Sequence, residues 1–184
     1  MNNTKLINKV LRIAALYHEG QKRKGKEVPY IVHPVEVAMI LQKNGIEEDL
    51  IASGLLHDTL EDTEMTEEEL REHFNNRILK LVKGASENLE DRENTSWEER
   101  KKHTIDYIKT ADRDIKLISC ADKLSNAKSM LADYNEVWDD LWKRFNRGYE
   151  KQKWYYNNLV DSLNDLAGVT MFEEFKSIVQ DLFY

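Results

Sequence analysis

The residues best suited to chemistry sit in one short stretch, Leu55-Leu56-His57-Asp58-Thr59-Leu60-Glu61-Asp62. A histidine beside an aspartate offers one nitrogen and one oxygen ligand to a single divalent ion. If the stretch is helical, Glu61 lies one turn beyond His57 and Asp62 one turn beyond Asp58, so a second acidic group stacks over the first pair. The pattern suggests a metal-binding pair with a carboxylate pair beside it. The competing reading is an acidic, solvated helix end, and a lone His-Asp dipeptide does not choose between them.

Further candidates lie on both sides. His33-Pro34 opens a helical pattern, with proline at a first-turn position where its missing N–H costs nothing. Asp122 falls in the middle of an otherwise apolar helical run, four residues before Asn126, so the two share a face. A carboxylate in that place is costly unless it holds a metal or is paired, for instance with Lys123. His33, His57, Asp58 and Asp122 together would make a four-ligand site with positions left for water and substrate. Mixed nitrogen and oxygen ligands suit Mn²⁺, Fe²⁺, Zn²⁺ or Mg²⁺. With phosphate as the substrate, Mn²⁺ is the first expectation, and Glu61 and Asp62 become a general base or water-positioning groups. Just ahead of His33, four of the five residues from Lys22 to Lys26 are basic, either a solvated loop or a positive patch for an anion.

Helices must carry these residues. The chain has 184 residues, two prolines and seven glycines, with 41% hydrophobic and 33% charged residues, a composition that leans to all-α. A single domain spanning 1–184 is expected, with a core over about 5–160 and a last amphipathic helix over 170–184. Apolar periodicity predicts helices over 4–19, from His33 to Asn44, from Glu47 to Asp58, over 75–86 and from Asp112 to Leu131. Thr66-Glu67-Glu68-Glu69 and Ser96-Trp97-Glu98-Glu99 are capping boxes that start two more. Aromatic residues at helical spacing predict one long helix from Trp138 to about Leu166, facing the core. Ser86 to Ser96 is the expected loop.

A net charge of −7 argues against general nucleic-acid binding, while leaving room for a local basic pocket. The lone cysteine, Cys120, lies in an apolar helical run and reads as a small core residue in a reducing compartment. Neither a signal-peptide block nor a run of about 20 apolar residues occurs, so a soluble, cytoplasmic protein with no membrane partner is expected.

The order His33, His57-Asp58, Asp122 resembles the HD metal-dependent phosphohydrolase superfamily. Gln21-Lys22-Arg23-Lys24, Pro29-Tyr30-Ile31-Val32-His33-Pro34, the His57-to-Asp62 motif and Ala121-Asp122-Lys123-Leu124-Ser125-Asn126 together are similar to the hydrolase domain of the RelA/SpoT enzymes. They are more similar still to the stand-alone small alarmone hydrolases of the Mesh1 type. The resemblance implies an all-α HD-domain bundle with the metal at its centre. It implies Mn²⁺-dependent removal of the 3′-pyrophosphate from guanosine tetra- or pentaphosphate, by a hydrolase without a synthetase domain. Another nucleotide on the same site is the alternative: a nucleoside monophosphate, another pyrophosphorylated purine or NADPH. By the resemblance, His33, His57, Asp58 and Asp122 are metal ligands, and Glu61 and Asp62 position or activate the attacking water. Arg23 and Lys24 pack on the base, Asn126 contacts the ribose side, and Arg147 and Lys151 supply charge for phosphates.

Overall fold

The computed structural model describes residues 3–86, 94–145 and 147–184, with side chains from residue 5 onward. Among these residues the chain is all-α, with no strand. In order, the helices are α1 (Asn3–Tyr17), α2 (Val32–Lys43), α3 (Glu48–Leu56), α4 (Thr59–Asp62), α5 (Glu67–His73), α6 (Asn76–Ala85), α7 (Trp97–Thr110), α8 (Arg113–Val137), α9 (Gly148–Ser162) and α10 (Thr170–Phe183). Two 3-10 helices, Trp138–Arg144 and Asn164–Leu166, flank α9. Most of the expected loop after Ser86, residues 87–93, lies outside the described residues.

Both capping boxes form. The Thr66 and Ser96 hydroxyls accept from the backbone N–H groups of Glu69 and Glu99, whose carboxylates accept in return. The expected long aromatic helix does not form. Trp138 turns the chain through the left-handed region, at φ 50°, and a 3-10 helix replaces the first two turns. The chain then passes Gly148, at φ 61°, into α9. An aromatic side chain at positive φ is strained, so periodicity alone could not anticipate the break. The aromatic residues divide accordingly. Trp142, Tyr155 and Tyr156 are buried, whereas Trp138 is 67% exposed and Trp154 is half-exposed.

Helix α8 is buried on nearly every side, from Ile115 through Met130, which marks it as the central helix. Two apolar cores flank the pair α2–α3. Val37, Ile40, Leu41 and Leu50 face the larger core with α8, α9 and α10, while Ala38, Ala52, Leu55 and Leu56 face the smaller one with α1, α5 and α6. The two helices approach closely at Gly54: a Cβ there would meet Leu41 Cδ1 at 2.6 Å and Val37 Cγ1 at 3.2 Å. That contact sets α2 against the end of α3, and α8 packs against both.

The basic segment after α1 folds back on itself. Arg23 N–H donates to Val28 O and Tyr30 N–H to Gln21 O, each at 2.9 Å, and Gly25 turns the chain at φ 73°. Lys26 pins the tip to α8, donating to Ser129 Oγ at 3.0 Å and pairing with Asp133 at 2.7 Å. No described helix is long and apolar enough to cross a membrane.

Candidate active site

His33, His57, Asp58 and Asp122 meet at the junction of α2, α3 and α8. His33 lies in the first turn of α2, His57 and Asp58 in the turn between α3 and α4, and Asp122 midway along α8. Both imidazoles are buried, with 2% exposure each. His33 Nε2 stands 3.1 Å from Asp122 Oδ1 and 3.6 Å from Asp58 Oδ2; His57 Nε2 stands 3.1 Å from Asp58 Oδ2 and 3.7 Å from Asp122 Oδ1. One atom each of His33, His57 and Asp58 lies within 4.8 Å of the others, a group placed for a metal ion. Asp122 falls outside that mutually close trio but approaches both histidine nitrogens.

The hydrogen bonds of His57 test whether a cation fits. Its Nδ1 is 2.9 Å from the carbonyl of Gly54, which can only accept, so Nδ1 carries the proton. The Nε2 lone pair of the neutral ring therefore points at two carboxylates. It is buried and has no properly directed hydrogen bond. Without a cation, a lone pair facing two anions is repulsive, and a proton or a metal relieves it. In the metal-free protein a proton does so: burial pushes the His57 pKa down, but the Asp58 and Asp122 charges override it and hold it well above the ordinary histidine range. Burial raises the Asp58 carboxyl, yet the His57 charge outweighs it and keeps Asp58 below the usual carboxylate range. A dication would replace that proton, and mixed nitrogen and oxygen donors suit such an ion.

Asp122 has the lysine partner expected of it, and it faces both histidines. Its Oδ1 faces the histidines and accepts from Asn126 Nδ2 at 2.6 Å, while its Oδ2 pairs with Lys123 Nζ, also at 2.6 Å. Asn126 in turn accepts from Arg23 at 2.8 Å, and the Arg23 guanidinium lies 5.7 Å from the centre of the Tyr30 ring. Tyr30 was not among the expected site residues. Its hydroxyl donates to Asp58 Oδ2 at 2.6 Å and approaches Asp62 Oδ2 at 3.4 Å. The available signal was its position three residues before His33, in the turn that leads into α2.

The helix breaks at His57-Asp58 rather than running through it, although Asp62 N–H still donates to Asp58 O at 2.8 Å. Glu61 and Asp62 consequently reach the site. They line a cavity of about 470 Å³ whose floor holds His33, Asp58 and Asp122 and whose walls carry Arg23, Lys83, Lys101 and Lys123. A smaller recess of about 210 Å³ opens beside it, lined by Lys24 and Lys26 and sharing Arg23, Tyr30 and Asn126 with the first. Arg147 and Lys151 line neither cavity. They face Glu98 of α7, at 3.4 Å and 3.6 Å, so the structure does not bring them to the expected phosphate position.

The model of the HD domain family matches residues 11–146. The chain belongs to the HD-domain family. A relative from Danio rerio, named guanosine-3′,5′-bis(diphosphate) 3′-pyrophosphohydrolase MESH1, is 33% identical over 144 residues, covering 77% of this chain and 76% of its own. A solved structure from Listeria monocytogenes, lmo0812, superposes with a TM-score of 0.73 at 36% identity, over 82% of this chain and 98% of that one. A second, described as a metazoan ortholog of SpoT that hydrolyzes ppGpp, shares the fold at a TM-score of 0.77 and 24% identity, over 96% and 95% of the two chains. The chain spans only 17–19% of the length of several long bacterial relatives that it also matches.

Proposed function

We propose that the protein is a Mn²⁺-dependent pyrophosphohydrolase, with residues 1–184 as one HD-type domain. It removes the 3′-pyrophosphate from guanosine tetra- or pentaphosphate, giving GDP or GTP and pyrophosphate. The observation that carries the proposal is the meeting of two buried imidazoles and two carboxylates, of which His33, Asp58 and Asp122 form the floor of a cavity with lysine and arginine walls. The MESH1 relative, alike over most of both chains, supports the choice of substrate.

In this reading His33, His57, Asp58 and Asp122 hold the metal. When bound, a divalent metal polarises a phosphoryl oxygen and lowers the pKa of a water. Glu61 and Asp62 orient the attacking water and accept its proton. Lys83, Lys101 and Lys123 face the charge that builds on the phosphates, where fixed cations stabilise a transition state best. The smaller recess takes the nucleoside: Arg23 and Lys24 pack on the base, and Asn126 meets the ribose side. A guanidinium plane stacks well on a purine. The cavity volume falls in the range of small-molecule sites. Cys120 is buried, with its thiol pushed up to about 12 by that burial, and such an unreactive thiol suits the cytoplasm.

Incubation with guanosine tetraphosphate and Mn²⁺ should yield GDP and pyrophosphate. The proposal fails if that nucleotide stays intact while a nucleoside monophosphate, another pyrophosphorylated purine or NADPH is hydrolysed.

A further inference from the structure

His33 can serve as a ligand through Nε2 only if its proton sits on Nδ1. No backbone carbonyl enforces this, as Gly54 does for His57. The partner of His33 Nδ1 is the Ser125 hydroxyl, at 2.9 Å. A hydroxyl both donates and accepts, so by itself it leaves the tautomer open. The hydroxyl is not alone, however: Ser125 Oγ donates to Glu36 Oε2, at 2.9 Å. The Glu36 carboxylate offers only acceptors. Ser125 has one hydrogen, and with that hydrogen on Glu36, its oxygen must accept from His33 Nδ1–H. The Nε2 lone pair is then directed at Asp122 and Asp58.

We infer that Glu36 and Ser125 form a relay that sets the tautomer of His33 and so makes it a metal ligand. Each member lies one turn beyond a candidate ligand: Glu36 follows His33 by three residues on α2, and Ser125 follows Asp122 by three on α8. Packing of α2 on α8 closes the relay. Ser125 is buried, with 1% exposure, while Glu36 is exposed, so the relay runs from the surface to the site. Both are positioning residues, acting through His33. A ligating histidine usually has its second nitrogen fixed this way, and removing such a partner weakens metal binding roughly 10–100-fold.

The inference rests on the metal reading above, and two measurements separate them. The first uses metal-free protein. Long-range proton–nitrogen correlation spectra at mildly alkaline pH, assigned with His33→Gln, report which nitrogen of His33 is protonated. Wild type should carry the proton on Nδ1. Glu36→Leu, an exposed change that leaves the core intact, frees the Ser125 hydrogen to donate to Nδ1 and should move the proton to Nε2. A wild-type Nδ1 that carries no proton, or an Nδ1 proton indifferent to Glu36→Leu, overturns the relay. The second is Mn²⁺ titration. Glu36→Leu and Ser125→Ala should raise the dissociation constant roughly 10–100-fold, and Ser125→Thr, which keeps the hydroxyl, should bind as wild type does. Wild-type affinity in Glu36→Leu also overturns the relay. If wild type itself takes up no Mn²⁺, the metal reading fails, and the spectra alone decide whether the relay exists.

Discussion

Asp58→Asn isolates the charge of one candidate ligand with almost no change of shape. Asp58 Oδ2 stands 3.1 Å from His57 Nε2 and 3.6 Å from His33 Nε2, and it accepts from Tyr30 at 2.6 Å. An amide oxygen still accepts from Tyr30. His57 retains Asp122 at 3.7 Å or gives up its proton, so the helical fold should survive. What the variant loses is an anionic ligand in a buried site. A metal at 100 times its dissociation constant stabilises the protein that binds it by about 2.7 kcal/mol. At roughly 2–4 °C per kcal/mol for a chain of this size, the wild-type Tm should rise by about 5–10 °C. The assay is thermal unfolding in chelator against unfolding in excess Mn²⁺, with helicity followed by circular dichroism. Wild type should show the rise, and Asp58→Asn should show little of it and no turnover. A full metal-induced rise in the variant would refute the assignment of Asp58 as a ligand. No rise in wild type with Mn²⁺, Mg²⁺, Zn²⁺ or Fe²⁺ would refute the metal site altogether.

Other outcomes follow from the same geometry. Glu61→Gln should lower turnover roughly 10²–10⁴-fold while the metal-induced Tm rise persists, and loss of that rise would show that Glu61 is a ligand instead. Arg23→Ala should raise KM roughly tenfold with a smaller effect on kcat, since a stacked cation contributes about 1–2 kcal/mol of uniform binding; steady-state kinetics showing kcat alone affected would contradict this. The pH dependence has two opposite signs. The His57 pKa is raised in the fold, so its contribution is fully present below the unfolded value of about 6.5 and is lost as pH rises through the folded one. Asp58 is lowered, so its contribution is present above about 3.9 and is lost only as pH falls. Metal-free protein should therefore lose Tm as pH climbs above about 6.5, whereas the increment from Mn²⁺ should grow, because the metal competes with the His57 proton. Parallel unfolding curves across that range, with and without metal, check both signs.

Much of the helical frame was legible along the chain. Thr66 and Ser96 mark the starts of α5 and α7 because a capping box is satisfied by residues three apart. The apolar run from Asp112 to Leu131 marked α8. The region after Val137 was misread, because aromatic spacing reports which side chains face inward and not the backbone angles that bring them there. Trp138 leaves the helix at φ 50°, and the chain buries Trp142 from a 3-10 turn instead. Arg147 and Lys151 follow that break, and their pairing with Glu98 depends on how α9 lies on α7.

His57-Asp58 shows where the boundary falls. By itself the sequence determined that an imidazole and a carboxylate adjoin at the end of an apolar helix, with Glu61 and Asp62 within the next turn, because these are relations between near neighbours along the chain. Tertiary structure alone decided that His33 and Asp122 come within hydrogen-bonding distance of each other, that Tyr30 reaches Asp58, and that Ser125 and Glu36 stand behind His33. Each of those contacts joins residues far apart in the chain, and only the packing of α2 between α3 and α8 closes the distance.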